Sequence, residues 1–167
     1  SAQVIRQRIA DAVGVPAQSL GLIAAEDPKA ADRLRLANKW ELTRIAARDL
    51  NAADPTEILA DIAAELSDLA DAVLAGALAV ARAEVDDHQV TRLAVIGLGK
   101  AGAQELNYLS DVDVLFVAEP AEHADPQRSM TVATKLAAAL TRICSAHSPA
   151  GSIWTLDAGL RPEGNAG

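Results

Sequence analysis

Asp111 and Asp113 stand one residue apart in "LSDVDVLFV" (109–117), and a third carboxylate, Asp157, lies in "IWTLDAGL" (153–160). "VDVLFVA" (112–118) and the stretch 153–160 are rich in branched residues and read as strands. Successive strand residues point to opposite faces, so Asp111 and Asp113 project together. Asp157 completes a cluster if its strand is a neighbour. Three gathered carboxylates repel one another and raise each other's pKa. Two magnesium ions resolve that repulsion and make a phosphoryl-transfer centre, because they bridge phosphate oxygens and align the attacking and leaving atoms. Upstream, Gly97, Gly99 and Lys100 offer bare backbone N–H groups and an ammonium to a nucleotide phosphate. Ser110 either caps the turn before the acidic pair or touches phosphate.

The same glycines admit a second reading. Gly97-x-Gly99-x-x-Gly102 follows the strand-like "RLAVIG", and Glu119 lies 119 − 97 = 22 residues on, where a dinucleotide-binding unit of an oxidoreductase places an acid on ribose. That reading puts Asp113 in a sheet strand buried on both faces, where an unpaired carboxylate is costly. It also has no use for Asp111 or Asp157. A non-catalytic scaffold, with a helical docking segment and an incidental acidic pair, is the third alternative.

Helices must carry these strands. "AADRLRLANKWELTRIAARDL" (30–50) has a stripe of Leu34, Leu42 and Ile45. "DPTE" (54–57) supplies an N-cap, a proline at the first helical position and Glu57 as a capping-box partner. Leu59, Ile62, Leu66, Leu69, Val73 and Val80 then recur at helical spacing to about residue 83. Asp61, Glu65, Asp68 and Asp71 are expected on its solvated face. Residues 126–147 return to helical spacing, whereas the first 28 residues are weakly patterned. The expected plan is α+β, with a helical segment over 1–85 and an α/β part over 86–167.

Composition narrows the partners. The formal charge is −8 and only four residues are aromatic, so the chain supplies neither a basic groove nor a stacking platform for nucleic acid. A single cysteine, Cys144, excludes an internal disulfide and suits a reducing compartment. No apolar run is long enough for a membrane span and no leader pattern is evident, so a cytoplasmic location is expected. His88, His123 and His147 lack ligand spacing and read as surface residues. Cys144, Trp40 and Trp154 are expected in packing roles, and Glu105 and Asn107 as scaffolding.

"GLGKAGAQELNYLSDVDVLF" and "LDAGLRPEGNAG" closely resemble the nucleotidyltransferase domain of the glutamine synthetase adenylyltransferase/adenylyl-removing family, and "WELTRIAARDL" resembles the helical segment before it. The similarity runs from about Leu34 to Gly167. It implies a DNA polymerase β-like core, here partial, in a bifunctional cytoplasmic enzyme with two such domains. One attaches AMP from ATP to a tyrosine of glutamine synthetase; the other removes it by phosphorolysis, releasing ADP. Signal-transducing PII protein and glutamine set the balance. The resemblance maps metal ligands for magnesium, or manganese in its place, onto Asp111, Asp113 and Asp157. It maps phosphate contacts onto Gly97, Gly99, Lys100 and Arg161. "ELNY" (105–108) looks like the adenylyl-removing half. One position departs: Gly159 stands where the family pattern Asp-x-Arg-Leu-Arg-Pro has its first arginine.

Overall fold

A computed structural model describes residues 1–159. Its elements in chain order are α1 (Ala2–Val13), α2 (Ala30–Leu50), α3 (Pro55–Glu84), β1 (Thr91–Gly97), α4 (Gly99–Gly102), β2 (Val112–Pro120), α5 (Pro126–Ser145) and β3 (Leu156–Asp157). The architecture is α+β. Helix α1 was not foreseen, although Ile5, Ile9 and Val13 form its buried stripe. Gly14 ends it in the left-handed region, donating its N–H to the carbonyls of Ala10 and Asp11.

Two helices start on aspartates, Asp54 as expected and Asp125 without having been foreseen. Asp54 accepts from the Thr56 amide at 2.9 Å and from its hydroxyl at 2.6 Å, with Pro55 opening α3. Glu57 therefore has no capping-box role. Its amide donates to the Asp54 carbonyl, and the Asp54 carboxylate caps the helix by accepting from Thr56. Asp125 accepts from the Arg128 amide at 2.7 Å and Pro126 opens α5 in the same manner.

Helices α1, α2 and α3 pack on one another, and α5 packs against α3 on one side and against β1 and β2 on the other. Leu34, Leu69, Val73, Leu136 and Leu140 are all fully buried in one continuous core. Leu59, expected in the α3 stripe, instead faces outward at 67% exposure. The acidic residues of α3 do not share one solvated face. Glu65 is buried because Arg44 and Arg48 reach it at 2.6 and 3.1 Å, and Arg44 also holds Glu41, which pairs with Arg8. These alternating charges lace α1, α2 and α3 together, and each buried carboxylate is compensated by a guanidinium.

The sheet is mixed, in the order β1-β2-β3. Strands β1 and β2 are antiparallel from Thr91↔Pro120 to Gly97↔Val114, and β2 runs parallel to β3 through Val112↔Leu156 and Asp113↔Asp157. Leu93, Val112, Val114 and Leu156 fill the core side, while Ile96, Leu115 and Val117 lie exposed on the other. The third strand is far shorter than the 153–160 expected from composition. Trp154 is buried as expected; Trp40 is not, at 73% exposure, so it contributes little packing. Cys144 is fully buried in α5, and burial pushes its thiol up to about 12.

Candidate active site

The antiparallel pairing of β1 with β2 overturns the dinucleotide reading. A dinucleotide-binding unit needs two parallel strands joined by a crossover helix, and here four-residue α4 links antiparallel neighbours. The glycines serve another end. Gly99 sits at φ +52°, in the left-handed region, and a Cβ there would stand 2.4 Å from Asp113 Oδ2. Gly102 is held as closely, since its Cβ would meet the Gly97 carbonyl at 2.6 Å. The turn thus folds back on the acidic strand, where the Leu98 amide donates to the Asp113 carbonyl at 2.9 Å.

Asp113 and Asp157 occupy partner positions on the parallel strands, so their side chains leave the sheet on the same face. Asp111 precedes Asp113 by two residues and is exposed, just before β2, where the Val112 amide donates to the Thr155 carbonyl at 3.0 Å. Asp113 is half-buried and Asp157 exposed. Among the described residues, neither Asp111 nor Asp113 forms a side-chain ion pair or hydrogen bond, whereas Asp157 Oδ1 accepts from the Gly159 amide at 2.7 Å. Also among those residues, no three His, Cys, Asp or Glu side chains converge closely enough to hold one ion. The register therefore joins Asp113 and Asp157, and leaves Asp111 beside them without closing a ligand set. An all-oxygen donor group with free carboxylate oxygens suits a hard divalent cation.

Lys100 donates to Ser110 Oγ at 3.2 Å across the mouth of this turn, and both lie within reach of solvent. Arg161 lies outside the described residues. A Cβ on Gly159 would come 2.8 Å from Asp157 Oδ1, so a larger residue there would move that carboxylate.

Supports for the acidic turn come from the distant helices, and no local signal pointed to them. Tyr108 donates to Asp49 Oδ2 at 3.0 Å at the end of α2, and the Leu106 amide donates to Ser67 Oγ at 3.3 Å on α3. Leu106 is buried, and Asn107 Oδ1 accepts from the Leu109 amide at 3.0 Å, closing the turn that leads to Ser110. Burial and then the bond to Asp49 push the Tyr108 phenol up to about 12. Glu105 is exposed on this turn.

A sequence profile for glutamate-ammonia ligase adenylyltransferase matches residues 7–167. The chain belongs to this adenylyltransferase family. Similar proteins include the bifunctional glutamine synthetase adenylyltransferase/adenylyl-removing enzyme of Cutibacterium acnes, 63% identical over 139 residues, which are 83% of this chain and 14% of that protein. The enzyme of the same name from Streptomyces avermitilis is 50% identical over 155 residues, 92% of this chain and 15% of the relative. That of Bifidobacterium longum is 45% identical over 171 residues, 97% of this chain and 16% of the relative. The chain thus spans about one-sixth or less of the length of these family members. Membership reaches into the first 30 residues, where the motifs alone carried no resemblance.

Proposed function

We propose that this chain is part of a nucleotidyltransferase of the family, with its chemistry on the sheet face that carries Asp113 and Asp157. The observation that supports it most directly is the Asp113↔Asp157 register, flanked by Asp111 and by the glycine turn. A three-stranded mixed sheet in the order 1-2-3 accords with a polymerase β-like core over 86–167, preceded by the helical segment 1–85. The substrate is adenylylated or free glutamine synthetase, after the names of the relatives. The "ELNY" turn favours removal of the adenylyl group. PII protein and glutamine are the proposed regulators, and the cytoplasm the proposed location; among the described residues no helix is long and apolar enough to cross a membrane.

In adenylyl removal, a phosphate oxygen bonds to the adenylyl phosphorus as the bond from that phosphorus to the tyrosine oxygen breaks. ADP and the reprotonated tyrosine result. Asp113 and Asp157 would hold magnesium, with manganese as a substitute, and Asp111 would turn in from beside β2 to complete the set. Bound there, the cation would neutralise phosphate charge as it builds in the transition state. The left-handed Gly99 makes room for the Asp113 carboxylate to face that point. Lys100 exchanges its bond to Ser110 for a phosphate oxygen, and Ser110 keeps the ammonium aimed while the site is empty of nucleotide. Arg161 would add a second cationic contact.

The test is manganese and ADP titration of the chain, paired with phosphate-dependent ADP release from adenylylated glutamine synthetase by the full-length protein. Asp113→Asn should abolish turnover and weaken manganese binding by about tenfold or more. Undiminished turnover in that variant would remove the metal-centred reading. Failure of the unaltered chain to bind ADP with manganese would favour a docking role.

A further inference from the structure

Among the described residues, no strand lies beside the outer edge of β1. Two backbone bonds fix which groups face that edge. The Ala121 amide donates to the Val90 carbonyl at 3.0 Å, and the Leu98 amide to the Asp113 carbonyl at 2.9 Å. Hydrogen-bonded pairs alternate along an antiparallel ladder. Between those two ends, Arg92, Ala94 and Ile96 therefore turn their backbone groups toward β2, and Leu93, Val95 and Gly97 turn theirs away. Among the described residues, nothing hydrogen-bonds to the N–H or C=O of those three, although Gly102 packs against the Gly97 carbonyl and leaves Leu93 and Val95 as the open positions.

Strand edges meant to stay unpaired usually carry a lysine, a proline or a bulge. "TRLAVIG" has no lysine or proline, its one charged side chain, Arg92, is engaged by Glu119 of β2 at 3.0 Å, and its seven residues pair with β2 without a break. A cleft of about 630 Å³ runs along the free edge toward the glycine turn, walled by Leu74 and Leu78 of α3. Leu22, 69% exposed, borders it and also a second cleft of about 440 Å³ that continues toward Gln89 and Thr91. Asp71 of α3 lines the first cleft, and a Cβ on Gly97 would lie 3.9 Å from its Oδ1.

The Asp71 carboxylate is exposed and, among the described residues, has no hydrogen-bond or ion-pair partner. Partial burial against the cleft wall and then the neighbouring Asp68 hold its pKa above the ordinary range, although part of the residue is open to solvent. Arg6 acts on it only through space, because that guanidinium donates to the carbonyls of Ala17 and Leu20, both at 3.0 Å.

We propose that the outer edge of β1 accepts an extended segment of a partner protein as an added strand, with a lysine or arginine of that segment lying over Asp71. Outward amides and carbonyls at every second residue match another strand and no other backbone shape. The uncompensated acid selects a cation. A second copy of this chain would bring another Asp71 and a further charge of −8, which disfavours self-pairing. This inference does not rest on the nucleotidyltransferase reading, since the edge lies on the opposite side of the sheet from β3.

The probes are synthetic hexapeptides of alternating valine and threonine with a central lysine, with glutamate in its place, or with N-methylated amides on the pairing side. Binding and amide hydrogen exchange are followed by NMR. The lysine peptide is expected to bind at up to millimolar concentration and to protect the amides of Leu93 and Val95. The glutamate peptide, and the lysine peptide on Asp71→Asn, should bind about fivefold more weakly. The N-methylated peptide should not bind. Val95→Pro removes an outward N–H, which an edge position tolerates, and should keep its circular dichroism while losing the peptide. No binding, equal binding of the lysine and glutamate peptides, or binding that leaves the two amides unprotected overturns the proposal. So does protection of those amides by self-association without peptide.

Discussion

Replacing Gly99 by alanine tests whether the glycine turn and the acidic strand are mechanically one unit. At φ +52° a Cβ costs about 1–2 kcal/mol in the folded state. The stiffer unfolded chain returns about 0.4–1 kcal/mol of that. A second cost is steric. The new methyl would stand 2.4 Å from Asp113 Oδ2 and 3.4 Å from its Cγ, so the carboxylate must turn out of its place. Forcing such a side chain off its rotamer costs about 0.5–1.5 kcal/mol. Gly99→Ala should therefore destabilise the chain by about 0.5–3 kcal/mol. In an Asp113→Ala background only the backbone part survives, which leaves a coupling of about 0.5–1.5 kcal/mol. Urea unfolding followed by circular dichroism, on the wild type, both single variants and the double variant in chelator, measures it. A coupling indistinguishable from zero, or an alanine that stabilises, would refute the close contact between Gly99 and Asp113. Manganese affinity should fall in Gly99→Ala for the same reason.

The single tyrosine makes a second prediction directly readable, because phenolate absorbance reports Tyr108 alone. Its native midpoint should lie near 12, against about 10 for a free phenol, and should fall in Asp49→Asn. The folded state keeps the proton longer than the unfolded one. This contribution to stability is therefore complete below pH of about 10 and is lost as pH rises toward 12. A native midpoint near 10 would dispose of the bond to Asp49. Cys144, the one thiol, should react with a thiol reagent at the rate of local opening and speed up sharply in denaturant; rapid labelling of the native chain would contradict its burial. Leu106→Ala, which empties a buried position under the acidic turn, should cost about 2–5 kcal/mol in urea unfolding.

Much of this was legible before any coordinates. The helix at Ala30–Leu50 carries its stripe openly, the Asp-Pro pair at 54–55 announces the start of α3, and helical spacing marks α5. The strand character around Asp113 likewise follows from its branched neighbours. What stayed hidden depends on partners far along the chain. Helix α1 was diluted by arginines and glutamines, one of which, Arg8, turns inward to Glu41. Glu65 reads as a surface acid until Arg44 and Arg48 close on it. Trp40 reads as core, yet it stands 73% exposed on α2 among the described residues. The candidate site shows the same division. Its carboxylates could be named from spacing, but the parallel partnership of Asp113 with Asp157 and the anchoring of the turn on Asp49 and Ser67 are properties of the folded chain.

The footing of that turn bears on how the molecule can be divided. Leu106 and Tyr108 are moored to α3 and α2, and α5 lies between α3 and the sheet, so severing the chain after residue 85 would strand each piece. The detached strands would lose the pier on which the carboxylates are hung, and Val132, Leu136 and Leu140 would be stripped of cover along α5. Long helices that look like a separable handle are the ground on which the acidic loop is built.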